Sequence, residues 1–293
     1  VFAKDLLLPV GLCLITFNLG LTLMWVDFRR ALLFPKAIIV ALICQILVMP
    51  AVCFFIAKIL VLSPELAVGL LLLAGTPGGA SANLFSYLAD GDVALNITLT
   101  AINSVLSLVT LPLILNGALQ YFMGTDEQLR SQAGRVLPAL VIIFIPVLLG
   151  MWIRHARPKL AGRIEQPGKN ICSAILVVMA FVVIYSQWQT LHSYFISIGA
   201  AVILFNLVSL ATGFVVSRWV RLERRQAIAI SMEIGLHNGP VAIGIALSPA
   251  ALNRPIMAVP ATVYGICAFV LAGIFVIGLR YTQHSLTSRR FPQ

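Results

Sequence analysis

Charge is scarce in this chain, and that scarcity sets its broad class. Acidic and basic residues make up only 10% of the 293 residues, against about 25% in ordinary soluble domains. Apolar residues make up 60%. A soluble fold of this size would have to carry much of that apolar mass on its own surface. Metal-type cysteine spacings are also missing. Cys13, Cys44, Cys53, Cys172 and Cys267 stand singly inside apolar stretches, with no CxxC or CxxxH among them. They read as small buried apolar fillers. Neither HExxH nor GxSxG occurs, which removes two common hydrolytic chemistries. The chain has no low-complexity tract, no soluble domain and no cationic segment ahead of its first apolar stretch. That last absence predicts no cleavable signal peptide. The net charge of +10 does not point to nucleic acid, because the basic residues lie in short loops and form no stripe along an element.

The long apolar runs are what remain, and mean hydropathy is +1.01. Nine spans can be drawn, at about 5–26, 35–61, 65–89, 92–118, 134–153, 170–188, 193–217, 226–248 and 255–279. Each is close to the length needed to cross roughly 30 Å of hydrocarbon. The longest connection, about 119–133, is polar and of mixed charge. Lysine and arginine set the orientation. With the N-terminus outside, the inside loops hold Arg29, Arg30, Lys36, Arg154, Arg157, Lys159, Arg163, Lys169, Arg218, Arg221, Arg224 and Arg225, and the tail holds Arg280, Arg289 and Arg290. Outside remain only Lys4, Lys58, Arg130, Arg135 and Arg254. The chain is therefore expected to be a multi-pass protein of the cell membrane, with its N-terminus outside and its C-terminus inside.

Two spans carry helix breakers near their middles. The third contains Gly75-Thr76-Pro77-Gly78-Gly79-Ala80-Ser81-Ala82-Asn83, and the eighth contains Glu233-Ile234-Gly235-Leu236-His237-Asn238-Gly239-Pro240. Proline removes a backbone donor and glycine weakens a helix, so both spans should break. Freed backbone groups are tolerable at that depth only where they face protein or a wet cavity. Each broken span lies between two long ones. Spans 1–4 and 6–9 thus read as equivalent units running in opposite directions, the layout of an inverted repeat. Direct identity between the halves is weak, and span 5 has no partner.

Glu233 is the one acid deep inside a span. Asp5, Asp27, Glu65, Asp90, Asp92, Asp126, Glu127, Glu165 and Glu223 all sit at span ends or in loops. An intramembrane carboxylate is costly and marks an ion or proton site, unless it serves as a structural hydrogen-bond acceptor. With no second deep carboxylate available for an acid dyad, an intramembrane enzyme is the lowest-ranked rival reading. Carboxylate plus freed carbonyl oxygens suit a hard cation such as Na⁺. Neutral oxygens gather nearby on Ser81, Asn83, Asn96, Thr100, Asn103 and Ser104. Asn96 and Thr100 stand four apart and share a helix face. Interhelical hydrogen bonding accounts for such residues equally well. His237 follows Glu233 by four residues. It reads either as a proton site or as a neutral partner of unwound backbone. Gln45 in span 2 carries the same ambiguity.

These motifs resemble those of the bile acid:sodium symporter family. Pro77–Asn83 followed by Leu88-Ala89-Asp90-Gly91-Asp92-Val93-Ala94-Leu95 is similar to its PGG-x-x-S-N…LA-x-G-[ND]-VALS stretch. Ser231-Met232-Glu233-Ile234-Gly235-Leu236-His237-Asn238 is similar to its S-[MI]-E-x-G-x-Q-N stretch. The likeness runs over essentially the whole chain and implies an all-α polytopic inverted-repeat transporter with two broken, crossing helices. A core domain would take about 35–118 and 193–279, and a panel domain about 1–30 and 134–190. One implied Na⁺ site uses Asn83, Asn96, Thr100 and Glu233, with Ala82 where the family has serine and Asn96 in place of a second serine. The other uses Gln45, Glu233, Ile234, Leu236 and His237, with His237 where the family has glutamine. The second set is the weaker, because imidazole is a poor ligand for a hard cation.

The reading reached from the sequence is a Na⁺-coupled symporter of a small organic anion, a bile acid or a smaller carboxylate. It is not an enzyme and works by alternating access in the lipid bilayer. The small residues Gly78, Gly79, Ala80, Ser81, Asn238 and Gly239 at the starts of the second half-helices are expected to receive the anion. A proton-coupled carrier using Glu233 and His237, and a passive channel, are the alternatives. The oligomeric state is left open.

Overall fold

The computed structural model describes residues 2–124, 145–186, 188–248 and 251–288. Most of the connection at 119–133, the start of the fifth span (134–153), and Arg130, Arg135, Arg289 and Arg290 lie outside the described residues. The described chain is helical, and its one β-type contact is an isolated bridge. In chain order the helices are α1 (Phe2–Thr22), α2 (Trp25–Arg30), α3 (Pro35–Ile59), α4 (Pro64–Ala74), α5 (Ala80–Leu88), α6 (Val93–Met123), α7 (145–156), α8 (Pro158–Ser186), α9 (Trp188–Trp219), α10 (Arg224–Gly235), α11 (Gly239–Leu247) and α12 (Pro255–Ser288).

Four segments, Pro35–Ile59, Val93–Met123, Ile196–Trp219 and Pro255–Tyr281, are each long and apolar enough to cross a membrane unaided. At 1.5 Å per residue the shortest still reaches about 36 Å. Their outer faces are apolar where a soluble protein would be polar. On α12 the exposed residues Ile266, Val270, Ile274 and Ile277 follow helical spacing, as a lipid-facing stripe does.

The two expected breaks are present. α4 stops at Ala74 and α5 starts at Ala80; α10 stops at Gly235 and α11 starts at Gly239. These short helices lie at the centre. Leu66–Ala74 and Ala227–Gly235 are buried without exception. The long helices surround them: α4 packs on α3, α6 and α12, and α10 packs on α6 and α9. Close approach depends on glycine here. A Cβ on Gly69 would collide with the Met257 backbone, and one on Gly235 with the Leu210 side chain. Outside this group α1 packs on α8. It also meets α7 with backbones so near that a Cβ on Gly20 or Gly150 would enter the other helix.

α3 is not regular. Its ladder widens to a π turn over Cys44–Val48, just ahead of Pro50. Proline lacks the N–H for residue 46 and crowds its carbonyl, so the extra residue relieves the clash. The bulge lies where Gln45 turns inward, 5% exposed.

The repeat shows in the turns. Val61 and Arg221 both adopt left-handed backbone, at φ 48° and 63°. Leu62 N–H donates to Ala57 O at 3.0 Å, and Leu222 N–H to Ser217 O at 2.9 Å. Ser63 and Glu223 then cap α4 and α10 with matching angles, φ/ψ −59°/150° and −59°/151°.

Candidate ion-binding site

The unwound segments 75–79 and 236–238 cross at the centre and pair as an antiparallel bridge between Gly78 and His237. Gly79 N–H donates to Leu236 O and Asn238 N–H to Pro77 O, both at 2.9 Å. Each break thus satisfies backbone groups of the other, as a low-dielectric interior requires. The carbonyls left over are taken by side chains. Gln45 Nε2 donates to Ala74 O at 3.2 Å and Thr76 O at 3.0 Å. Asn206 Nδ2 donates to Gly235 O at 2.8 Å, and the Tyr264 hydroxyl donates to the same oxygen at 2.5 Å. Tyr264 in turn accepts from His237 N–H at 3.2 Å.

Glu233 lies at this crossing and is fully buried. Its Oε2 accepts from Thr100 Oγ1 at 2.6 Å. Its Oε1 accepts from Asn103 Nδ2 at 3.0 Å and from Gly78 N–H at 3.2 Å. No lysine or arginine is paired with it among the described residues. Gly78 is indispensable to this arrangement, because a Cβ there would lie inside the Glu233 carboxyl group.

Around the carboxylate, the hydrogen-bond network itself fixes which end of each amide is free. Asn96 Nδ2 donates to Ala229 O at 2.6 Å, which leaves Asn96 Oδ1 buried without a partner. Asn103 is pinned by its bond to Glu233, and Gln45 by its two carbonyls, so Asn103 Oδ1 and Gln45 Oε1 are likewise unfilled. Asn83 Oδ1, on α5, is a fourth buried oxygen without a partner. One carboxylate and several unfilled amide oxygens make a donor set for a hard monovalent cation.

Of the first expected ion set, Thr100 touches Glu233 directly. Asn96 stands one turn away on the same helix, and Asn83 lies on α5, which packs against α10. Ala82 is buried and contributes no oxygen. In the second set Leu236 O is already filled by Gly79 N–H. His237 stacks on Phe205 at 5.0 Å between centroids, and its Nδ1 lies 3.2 Å from Thr76 O. A carbonyl needs a donor, so Nδ1 carries the proton and Nε2 is left unpartnered. Ile234 is buried, and no side-chain partner draws it toward the carboxylate.

Three of the residues expected to receive the anion have their N–H groups engaged within the protein. Gly78 N–H is spent on Glu233, Gly79 N–H on Leu236 O, and Gly239 N–H on His237 O at 3.0 Å. Asn238 caps α11, its Oδ1 accepting from Val241 N–H at 3.3 Å. That leaves Ser81, half-buried in the first turn of α5, as the open part. Sequence reasoning missed Asn206 and Tyr264, and it counted Asn103 among the neutral oxygens without placing it in either ion set. Asn103 was within reach of the helical-face argument, being three residues from Thr100.

A family model described as the Sodium Bile acid symporter family matches residues 9–194. The chain belongs to this family. Among its relatives, the probable sodium/metabolite cotransporter BASS1, chloroplastic, of Arabidopsis thaliana is 27% identical over 90% of this chain and 64% of its own length. The uncharacterized sodium-dependent transporter YocS of Bacillus subtilis is 28% identical over 88% of this chain and 78% of its own. The ileal sodium/bile acid cotransporter of Cricetulus griseus is 29% identical over 84% and 71%. The chain therefore spans a little under two thirds of the plant relative. By name these relatives are transporters, not enzymes.

Proposed function

We propose that this family member couples inward movement of Na⁺ to uptake of a small organic anion across the cell membrane. The observation that carries the reading is Glu233. It is a fully buried carboxylate at the crossing of two broken helices, without a cationic partner among the described residues, and α6, which donates to it, carries unfilled amide oxygens at Asn96 and Asn103. Such a group is costly in a membrane interior, and a bound Na⁺ supplies the missing charge. Asn83, Asn96, Thr100 and Glu233 hold the ion. Ordering of the two crossing segments by that ion sets the first turn of α5, with Ser81 at its open edge, to receive the anion. Mobile packing of α1, α7 and α8 against the broken-helix core exposes this crevice to each side in turn. The names of the relatives support Na⁺ as the coupling ion and a metabolite or bile acid as cargo. The positive-inside pattern supports a C-terminus facing the cytoplasm.

The test is uptake into proteoliposomes with Na⁺ and proton gradients imposed separately. Uptake driven by Na⁺, counterflow of labelled anion, and loss of both in Glu233→Gln are expected. Counterflow separates a carrier from a channel. Uptake driven by a proton gradient in Na⁺-free buffer refutes the sodium reading.

A further inference from the structure

Far from the crossing, α7 and α8 meet at a tight corner. Arg157 N–H donates to Ile153 O in the last turn of α7 at 2.8 Å, and Arg157 O accepts from Ala161 N–H in the first turn of α8 at 3.0 Å. Arg154 on α7 also reaches Glu165 on α8 at 3.1 Å and clips the two helices together. A cleft of about 560 Å³ opens at this corner, lined by Arg157, Pro158, Lys159, Leu160 and Arg163. We propose that the cleft binds the phosphate headgroup of an anionic glycerophospholipid, whose acyl chains lie along the apolar outer face of α7.

Charge selects an anion. Arg157, Lys159 and Arg163 are all exposed, and none has an ion-pair partner among the described residues. Glu165, the acid nearest to them in sequence, already accepts from Arg154. Lys159 and Arg163 stand four apart and so share a face of α8. Guanidinium groups grip phosphate through paired N–H bonds, and an ammonium adds a point charge.

The surroundings select a lipid over a soluble anion. Ile145, Leu148, Leu149 and Trp152 are exposed along α7 at helical spacing, a stripe that leads toward the corner. Trp152, 63% exposed, precedes Arg157 by five residues, about 7.5 Å along the axis. Exposed tryptophan belongs at the headgroup level of a bilayer. Leu160, inside the lining, is exposed as well and offers an apolar wall to the glycerol backbone. The volume falls in the range of small-ligand sites, enough for a headgroup. Basic pockets between membrane helices hold headgroups in this way. α8 packs on α1 beyond the corner, so a lipid held here ties the group of α1, α7 and α8 to one surface of the bilayer.

The test is thermal unfolding of the purified chain in maltoside detergent, titrated separately with dioctanoyl phosphatidylglycerol, dioctanoyl phosphatidylcholine and glycerol 3-phosphate. Native mass spectrometry counts the phosphatidylglycerol retained per chain. Arg157→Gln with Lys159→Gln and Arg163→Gln strips the cleft of charge. Arg29→Gln with Arg225→Gln and Arg280→Gln removes the same charge from exposed positions elsewhere. Phosphatidylglycerol should stabilise the wild-type chain saturably, with one molecule retained, and the other two compounds should not. In the cleft variant the midpoint should rise roughly 100-fold and the retained lipid should be lost. Arg163→Gln alone, a single exposed change that carries the same test should the triple variant not fold, should raise it roughly fivefold. The variant altered elsewhere should keep the wild-type midpoint. Equal losses in both triple variants mean diffuse attraction by net charge and overturn the site. Stabilisation by glycerol 3-phosphate at the same concentrations makes the occupant a soluble anion and overturns the lipid. No response to phosphatidylglycerol, or one unchanged in the cleft variants, means that these cations serve orientation alone and overturns the proposal.

Discussion

Gly78→Ala is the sharpest perturbation the site offers, because it adds one methyl to a backbone and touches one group. Built on the native backbone, the new Cβ lies 2.6 Å from Glu233 Oε1 and nearer still to the rest of the carboxyl. Ordinary contact needs about 3.5 Å, so the carboxyl or the crossing must shift by roughly 1 Å. Glu233 cannot yield freely. Thr100, Asn103 and Gly78 hold it from three sides, and hydrogen bonds to a charged group contribute about 1.5–3 kcal/mol each. Releasing two of the three costs about 3–6 kcal/mol. Moving the crossing instead breaks the paired bonds of Gly79 and Asn238. Either route should abolish Na⁺-dependent stabilisation and uptake, and should lower thermal stability in detergent even without Na⁺. Glu233→Asp shortens the side chain by one carbon and makes room for the methyl. The double variant should therefore be more stable than Gly78→Ala alone, a non-additivity expected of groups in contact. A Gly78→Ala protein with wild-type stability and wild-type Na⁺ dependence would refute the geometry of the crossing.

Three other outcomes follow from the same contacts. Tyr264→Phe removes the acceptor for His237 N–H and one donor to Gly235 O, so stability should fall by about 1–3 kcal/mol while the Na⁺ response persists; an unchanged melting curve would contradict it. His237→Gln puts the family's glutamine into the second ion set, so Na⁺ affinity should rise; Na⁺ titrations that coincide in the two proteins would mean the imidazole is a passive substitute. In a cysteine-free background, cysteines at Gly124 and Arg254 should react with an impermeant reagent from outside intact cells, and one at Lys159 should not; the reverse pattern would overturn the orientation.

Much of the fold was legible because membrane insertion constrains sequence strongly. Charge is excluded from spans, so the nine apolar runs are plain. The breakers at Pro77 and Pro240 mark both unwound segments to within a few residues of the observed breaks. Glu233 was legible for the same reason, as the only acid that had to be justified at depth. The hydrogen-bond partners were less so. Gln45 and Asn206 reach carbonyls that exist only because another helix has broken, and no periodicity within α3 or α9 encodes that. Tyr264 offers an aromatic in an apolar span and reads as packing. Gly78 and Gly79, expected to offer N–H groups to the anion, have them bonded within the protein for a related reason. Their glycines permit close approach, but what approaches is Glu233 and the second break, not a ligand.

The two halves differ in chemistry more than in geometry. Gly79 and Asn238 stand 159 residues apart, as do Pro77 and Leu236, and the bonds between them exchange under that offset. The bridge partners Gly78 and His237 obey it too. A local two-fold axis therefore passes through the crossing, although little identity between the halves survives. The turns ahead of α4 and α10 match at an offset of 160, so Glu233 corresponds to an apolar residue of α4, Leu73 or Ala74. Backbone pairing has to be symmetric for both breaks to be satisfied. The carboxylate does not, and a second one would place two buried like charges at one crossing, each destabilising the other. The repeat thus supplies the scaffold twice and the charge once. The proposed ion-binding residues consequently lie off the axis, toward α6, while the opposite flank is closed by Phe205, His237 and Tyr264 packed ring against ring. A carrier built this way can exchange the tilt of its halves between two equivalent states and still present one charge to one ion path.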